Sequence, residues 1–202
     1  MSKDSKTIKV VGITGGIGSG KTTIARVFNA IGIPVYYADD EAKALMNRSK
    51  VIRRKLIELF GDEAYENEKL NRAYLRTQIF NNRTLLSKMN AIVHPKVGSH
   101  FQRWLKRQKT AYVLKEAAII FENNLENQYD YIITVIADEN SRIERVINRD
   151  GITKPEVKAI LKNQLPDDKK VKHSDFVIIN NDLPEAKIQA YKIHQQILKK
   201  IR

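Results

Sequence analysis

The amino-acid sequence predicts an α/β protein with a parallel sheet of about five strands, covered by helices on both faces. Three observations support this fold class. Short β-branched apolar runs alternate with segments of helical periodicity, and a glycine-rich loop joins the first strand to the first helix. One long stretch of helical periodicity interrupts the alternation. We therefore treat residues 1–202 as a single domain that carries an inserted helical block.

The first strand and the first helix enclose a phosphate-binding loop. The β-branched run at residues 8–14 predicts a buried strand, and residues 22–31 have apolar side chains at helical spacing. Between them, residues 15–22 read Gly-Gly-Ile-Gly-Ser-Gly-Lys-Thr, which completes the pattern G-x-x-x-x-G-K-[ST]. We expect Lys21 to reach the β- and γ-phosphates and the Thr22 hydroxyl to ligate Mg²⁺. A dinucleotide fingerprint is disfavoured, because its third glycine would fall on Lys21.

The remaining elements complete a nucleotide-binding core around an insertion. Residues 33–37 form a second strand, and residues from 41 to about 109 show helical spacing without a convincing strand. The later elements are strands at 111–114, 129–136 and 176–179, and helices over about 139–148, from Pro155 and from Pro184. The predicted parts are a core of residues 8–60 and 110–202, an inserted helical substrate-binding region at 62–108 and a lid at 149–168.

The composition narrows the class of protein. The chain has no cysteine, which excludes disulfides, and no apolar run near the ~20 residues that a membrane-spanning helix needs. The first residues lack the apolar stretch of a signal peptide, so we expect a cytoplasmic protein. We separately expect a monomer or a small homo-oligomer. The net charge of +13 favours anionic partners, and both nucleic acid and polyphosphate small molecules fit that charge.

Two groups of side chains match what phosphoryl transfer requires beyond the loop. Asp39 follows the second strand, where a carboxylate can orient an acceptor hydroxyl, whereas Asp40 reads as the N-cap of a helix. Arg145 and Arg149 share a helix face beside a polar segment, which suits a lid that brings arginines onto phosphates. The alternative is an exposed helix with salt bridges, and Arg142 on the same helix is a weaker lid candidate.

Five segments, in this order along the chain, resemble the dephospho-CoA kinase family. They are residues 11–22 around the loop, Ala38-Asp39, residues 89–95 ending in His-Pro, Arg145 to Asp150, and residues 174–181. The resemblance covers nearly the whole chain from about residue 9. The chain departs from the family pattern at three places, one of which is Thr22 in place of the commoner serine, a change that preserves the hydroxyl. Tyr37 stands where the family has an aspartate, and residues 118–122 lack the family's proline but keep Glu122.

The resemblance implies ATP-dependent phosphorylation of the ribose 3′-hydroxyl of dephospho-CoA, the final step of coenzyme A biosynthesis, with Mg²⁺ as cofactor. Asp39 would be the general base and would contact the substrate, and Arg145 and Arg149 would grip the phosphates beside Lys21. His94 would lie near the substrate in the helical block, and Asn180 near the adenine. The residues expected to bind ATP are Gly16, Gly18, Ser19, Gly20, Lys21, Thr22, Thr23 and Asn180.

Other classes of nucleotide enzyme remain as alternatives. A different small-molecule kinase would share the loop and the lid but bind another acceptor in residues 62–108. A GTPase would need an Asn-Lys-x-Asp motif and an Asp-x-x-Gly switch, and neither is present. A nucleic-acid-binding ATPase would interleave aromatic residues with Lys and Arg on one face, whereas the aromatic residues here fall mostly at core spacing. We therefore expect no nucleic-acid partner and no membrane association.

Overall fold

The helices and strands of the protein divide between two units of the chain. The computed structural model describes residues 8–80 and 82–201. The first unit comprises residues 8–37 and 108–201, and the second comprises Ala38–Arg107. The strands are β1 (Lys9–Thr14), β2 (Val35–Tyr37), β3 (Tyr65–Glu66), β4 (Lys69–Leu70), β5 (Tyr112–Glu116), β6 (Tyr131–Ile136) and β7 (Phe176–Ile179). The helices are α1 (Lys21–Ala30), α2 (Ala38–Arg48), α3 (Lys50–Phe60), α4 (Arg72–Ile79), α5 (Arg83–Leu105), α6 (Glu139–Asp150), α7 (Lys154–Lys162), α8 (Asp167–Lys172) and α9 (Leu183–Ile201).

A parallel five-stranded sheet forms the centre of the first unit. Its strand order is β2-β5-β1-β6-β7, and every neighbouring pair is parallel. Val11 of the central strand β1 lies opposite Leu114 of β5 and Tyr131 of β6. The fold class that the sequence predicts, an α/β protein with about five parallel strands, is therefore confirmed.

Both faces of the sheet are covered, which explains why its strands read as continuous apolar runs. Side chains alternate between the two faces along a strand. In β6, Ile133 packs in the core formed with α1 and α9, whereas its neighbour Ile132 packs with Ile120 and Phe121, which follow β5. The carboxyl ends of the parallel strands lie at one edge of the sheet, where ligands of such folds bind.

The second unit is helical except for a short hairpin. Asn71 and Asn82 cap α4 and α5, because their side chains accept hydrogen bonds from the backbone N–H groups of Tyr74 and Leu85. Residues 38–60, which the sequence analysis assigned to the nucleotide-binding core, belong to this unit, since α2 and α3 both pack on α5. Among the described residues, no helix combines the length and apolar composition of a membrane span.

The expectation that residues 41–109 contain no strand is wrong in one place. β3 and β4 form an antiparallel hairpin in which Tyr65 pairs with Leu70. Its two turn residues, Asn67 and Glu68, have φ angles of 47° and 64°. Positive φ at both central positions is the geometry of a tight hairpin turn, which usually contains glycine. The hairpin could not be predicted from the sequence, because its strands have two residues each and its turn has no glycine.

A buried histidine makes the stability of the first unit depend on pH. His194 of α9 lies with its Nδ1 atom 2.8 Å from the Tyr112 hydroxyl, and both residues are buried. Burial lowers the pKa of His194 below its ordinary value of 6.5. The unfolded chain therefore binds this proton more readily, and the free energy of unfolding decreases as the pH falls from 6.5 through the folded-state pKa.

We expect the substitution His194→Gln to reduce this pH dependence, because the amide is uncharged throughout the range and retains an acceptor for Tyr112. The measurement is urea unfolding at about pH 5 and about pH 7.5. The matched control is His94→Gln, since His94 is exposed. An equal loss of stability on acidification in the unmodified protein and in the His194 variant would contradict the expectation.

Candidate active site

The phosphate-binding loop runs from the end of β1 to the N-terminus of α1. Gly20 precedes the helix with a φ of 86°, and α1 begins at Lys21. The Ser19 N–H donates to the Gly16 carbonyl at 3.1 Å, which closes a tight turn. The buried Ser19 hydroxyl has no hydrogen-bond partner within the described residues. A curled backbone that leads into a helix N-terminus is the geometry of an anion site.

Two of the loop glycines lie in close contact with neighbouring side chains. A Cβ atom on Gly16 would collide with the guanidinium of Arg142 in α6. A Cβ atom on Gly20 would collide with the side-chain amide of Asn180, the residue after β7. Gly20 also adopts a left-handed backbone conformation that other residues enter only with strain. The glycines therefore allow α6 and the end of β7 to approach the loop closely.

Lys21 and Thr22 meet a buried carboxylate at the first turn of α1. The Thr22 hydroxyl donates to Glu116 Oε1 at 3.2 Å, and Lys21 Nζ lies 3.9 Å from the same oxygen. Glu116 is the last residue of β5 and only 4% exposed. In residues 8–80 and 82–201, no group of three or more acidic or histidine side chains could hold a metal ion alone. The Thr22 hydroxyl and a Glu116 carboxylate oxygen are thus in direct contact at the first turn of α1.

Arg145 and Asn180, both expected from the sequence to bind the nucleotide, lie against the loop. Arg145 Nη2 donates to the Asn180 carbonyl at 2.9 Å, and its Nη1 lies 3.4 Å from the Gly18 carbonyl. The buried Asn180 side chain donates through Nδ2 to the Ser19 carbonyl at 2.8 Å. The structure therefore brings together a cation from α6 and an amide from the end of β7 at the backbone of the loop.

Arg149, the second arginine expected in the lid, makes a different contact. Its Nε and Nη2 atoms donate to the two carboxylate oxygens of Asp150 at 2.8 and 2.7 Å. Hydrogen bonding to Asp150 raises the pKa of Arg149, and 63% of the side chain is exposed. Its described hydrogen bonds join it to the neighbouring acid at the end of α6 and not to the loop. The structure therefore does not bring Arg149 to the loop as it does Arg145.

Three residues around the loop were not among the site residues predicted from the sequence. Arg142, expected only as a weak lid candidate, is 7% exposed and donates through Nε to the Ile17 carbonyl at 2.9 Å. Gln164 accepts the Ile17 N–H at 2.8 Å through Oε1. Glu116 had a visible signal, because it is an acidic residue at the carboxyl end of a strand that begins with the apolar run Tyr112-Val113-Leu114. Gln164 had none, because its contact joins residues that are distant along the chain.

Asp39 and His94 belong to the second unit. Both are exposed; Asp39 lies in the first turn of α2, and His94 lies inside α5. Asp40, which the sequence suggested as an N-cap, is instead the third residue of α2, since the helix begins at Ala38. Its carboxylate pairs with Lys43 at 3.1 Å. The two neighbouring aspartates thus differ, because Asp40 has a partner on its own helix.

The sheet and the loop define the class of P-loop kinases. The loop follows the central strand of a parallel sheet, at the edge where ligands bind. Two solved structures show the same fold. Dephospho-CoA kinase from Campylobacter jejuni has a TM-score of 0.69 at 23% identity, covering 96% of this chain and 98% of that one. Shikimate kinase from Acinetobacter baumannii has a TM-score of 0.55 at 17% identity, and the match covers 99% of this chain and 98% of that one.

Sequence comparison identifies the family within this class. The family model of dephospho-CoA kinase matches residues 9–185, and the chain belongs to that family. The dephospho-CoA kinase of Bacteroides fragilis is 36% identical over 85% of this chain and 84% of its own length. The dephospho-CoA kinase of Salinibacter ruber is 36% identical over 90% of this chain and 95% of its own length. The structure of TT1252 from Thermus thermophilus has a TM-score of 0.87 at 30% identity, and the match covers 95% of this chain and 98% of that one.

Proposed function

We propose that the protein transfers the γ-phosphoryl group of ATP to the ribose 3′-hydroxyl of dephospho-CoA, which yields coenzyme A and ADP. The observation that carries this proposal is the phosphate-binding loop, with Lys21 and Arg145 beside it, in a chain that matches the family over residues 9–185. In this step the acceptor oxygen forms a bond to the γ-phosphorus. The bond from that phosphorus to the β,γ-bridging oxygen breaks, and the hydroxyl proton passes to a base.

The first unit supplies the groups that bind ATP in this proposal. The N–H groups at the start of α1 and the Lys21 ammonium bind the β- and γ-phosphates, so that charge developing on the transferred group meets fixed positive charge. Arg145 lies over the loop at the Gly18 carbonyl and adds a second cation. The amide of Asn180 contacts the Ser19 carbonyl, and we assign the neighbouring surface to the adenine end of the nucleotide.

A magnesium ion accompanies the ATP in this proposal. The Thr22 hydroxyl and the Glu116 carboxylate are hard oxygen ligands of the kind that Mg²⁺ prefers, and they lie 3.2 Å apart. Thr22 would ligate the ion, and Glu116 would accept hydrogen bonds from its water ligands. The bound ion supplies charge neutralisation at the β- and γ-phosphates.

We assign the acceptor side to the second unit, with Asp39 as the general base. β2 ends at Tyr37 and α2 begins at Ala38, so Asp39 follows the carboxyl end of a parallel strand directly along the chain. Its exposed carboxylate has no partner among the described contacts, unlike that of Asp40. We also assign His94 to substrate binding. The cytoplasmic location and the monomeric or small homo-oligomeric state remain predictions.

A substitution of Arg149 tests the lid role that this proposal gives to that residue. The substitution Arg149→Ala is expected to lower kcat on the order of 10²-fold while the KM for ATP changes little. The reason is that Arg149 pairs with Asp150 in this structure and would reach the phosphates only in the closed, reacting state. Steady-state kinetics measures both constants, with the exposed neighbour Asn148→Ala as control. A change confined to the KM for ATP would make Arg149 a ground-state ligand and contradict the lid role.

The experiment that tests the proposed function compares acceptors. The purified protein is incubated with ATP and Mg²⁺ and with each of dephospho-CoA, shikimate, gluconate, adenosine and a nucleoside monophosphate, and ADP release is measured. We expect turnover with dephospho-CoA to exceed that with any other acceptor. Faster turnover with another acceptor would make the protein a different small-molecule kinase with the same ATP site.

A further inference from the structure

One residue of the phosphate-binding loop, Ile17, is held through both of its backbone polar groups by side chains from a distant part of the chain. The Ile17 N–H donates to Gln164 Oε1 at 2.8 Å, and the Ile17 carbonyl accepts from Arg142 Nε at 2.9 Å. Arg142 also donates through Nη1 to Asp167 at 2.7 Å. We call these three side chains, Arg142, Gln164 and Asp167, the Ile17 clamp. It engages both backbone polar groups of a residue in the middle of the loop.

The clamp lies where hydrogen bonds are costly to lose. Arg142 is 7% exposed, and its side chain reaches the Asp167 carboxylate in a partly buried ion pair. The Ile17 side chain packs against a cluster formed by Ile143, Val146 and Val157 of α6 and α7. The main chain and the side chain of Ile17 are therefore both held by the segment that runs from α6 to α8.

The connection between α7 and α8, residues 163–166, is fixed on a second side. Glu122 Oε1 accepts the Leu165 N–H at 3.0 Å and lies 2.9 Å from Lys170 Nζ. Lys170 is fully buried, so this ion pair anchors the connection to the turn that follows β5. Gln164 therefore projects toward Ile17 from a backbone whose next residue is tied down. The C-terminal part of the lid predicted at 149–168 is thus attached both to the loop and to the sheet.

The engagement of Ile17 N–H has a consequence for nucleotide binding. A phosphate-binding loop works because several N–H groups converge on the anion. The Ile17 N–H already donates to the side-chain oxygen Oε1 of Gln164, so the peptide between Gly16 and Ile17 is oriented before any phosphate binds. An oriented peptide costs less conformational entropy on binding than a mobile one.

We propose that Gln164 is a positioning residue for the ATP site, and that it couples nucleotide binding to the order of α7. This inference rests on the proposed ATP site. In the absence of its side-chain oxygen, the Ile17 peptide loses a fixed orientation, and the loop must be ordered when the nucleotide binds. By thermodynamic reciprocity, a nucleotide that orders the loop then also stabilises the segment that carries Gln164.

The test uses Gln164→Leu, which removes the acceptor oxygen and retains bulk, with the exposed neighbour Asn163→Leu as the matched control. Binding of a non-hydrolysable ATP analogue is measured by calorimetry, and amide hydrogen exchange by NMR, with and without the analogue. For Gln164→Leu we expect a Kd increased about 3- to 10-fold, the effect of losing one hydrogen bond. We also expect faster exchange of the Ile17 amide and loss of the analogue-induced protection of residues 154–162.

A further variant distinguishes a positioning role of Gln164 from a general effect on the stability of the protein. Gln164→Glu keeps an acceptor oxygen and is expected to restore slow exchange at Ile17, even if the Leu variant proves unstable. The inference is overturned if the Leu variant binds the analogue with the Kd of the unmodified protein, or if Gln164→Glu leaves Ile17 exchange as fast as leucine does. It is also overturned, together with the ATP site itself, if the unmodified protein binds no analogue. Normal binding by both proteins would overturn the inference and leave the proposed ATP site in place.

Discussion

Replacement of Lys21 by alanine is expected to reduce phosphoryl transfer about 10²- to 10³-fold, while the protein stays folded. Lys21 is the first residue of α1, and its ammonium lies 3.9 Å from the buried Glu116 carboxylate. The substitution removes a fixed cation from the position where charge develops on the β- and γ-phosphates. Glu116 keeps its hydrogen bond from Thr22, which limits the effect on stability.

The measurement for Lys21→Ala is kcat/KM with ATP and dephospho-CoA, together with the thermal midpoint followed by circular dichroism. Arg26→Ala is the matched control, because it removes a cation from the exposed face of the same helix. We expect that control to retain the activity of the unmodified protein. Near-normal turnover by a folded Lys21→Ala protein would contradict the role of the loop.

The second large effect is expected for Asp39→Asn. The amide keeps the size of the side chain and removes the charge that would accept the hydroxyl proton. General-base catalysis contributes about 10²- to 10⁴-fold in rate, and we expect kcat to fall by that range. Asp39 is exposed and adjacent to the end of β2, so we expect little change in the thermal midpoint and largely retained ATP binding.

Asp40→Asn is the control for this prediction. Asp40 pairs with Lys43 on the surface of α2, and exposed pairs of this kind contribute at most about 1 kcal/mol to stability. Turnover should therefore be close to that of the unmodified protein. A normal Asp39 variant with an inactive Asp40 variant would mean that the two carboxylates have the opposite roles. Normal turnover by both variants would mean that neither carboxylate orients the acceptor.

The sequence predicted which residues gather at the loop better than it predicted the contacts that hold the loop in place. The loop pattern identifies Lys21 and Thr22 because phosphate binding fixes the spacing of those residues. Arg145 and Asn180 were expected near the nucleotide, and both contact the loop. Gln164 could not be predicted, because its function depends on a backbone N–H that lies 147 positions away along the chain. No local pattern marks a residue of that kind.

The departures from the family pattern are partly explained by the structure. Glu122, retained in a segment that lacks the family's proline, accepts the Leu165 N–H and pairs with buried Lys170. Its contacts are structural, since they connect the turn after β5 to the start of α8. Tyr37, which replaces a family aspartate, ends β2 opposite Glu116 of β5. A carboxylate is therefore present on the neighbouring strand at this level of the sheet.

The most direct test of the account is the position of the phosphate in the product. The protein is incubated with ATP, Mg²⁺ and dephospho-CoA, and the product is examined by ³¹P NMR; the 3′-deoxy analogue of dephospho-CoA serves as the matched acceptor. We predict a single new phosphomonoester on the ribose 3′-oxygen, one ADP for each product molecule, and no transfer to the 3′-deoxy analogue. A phosphate at another oxygen, or equal transfer to the 3′-deoxy analogue, would contradict the proposed reaction.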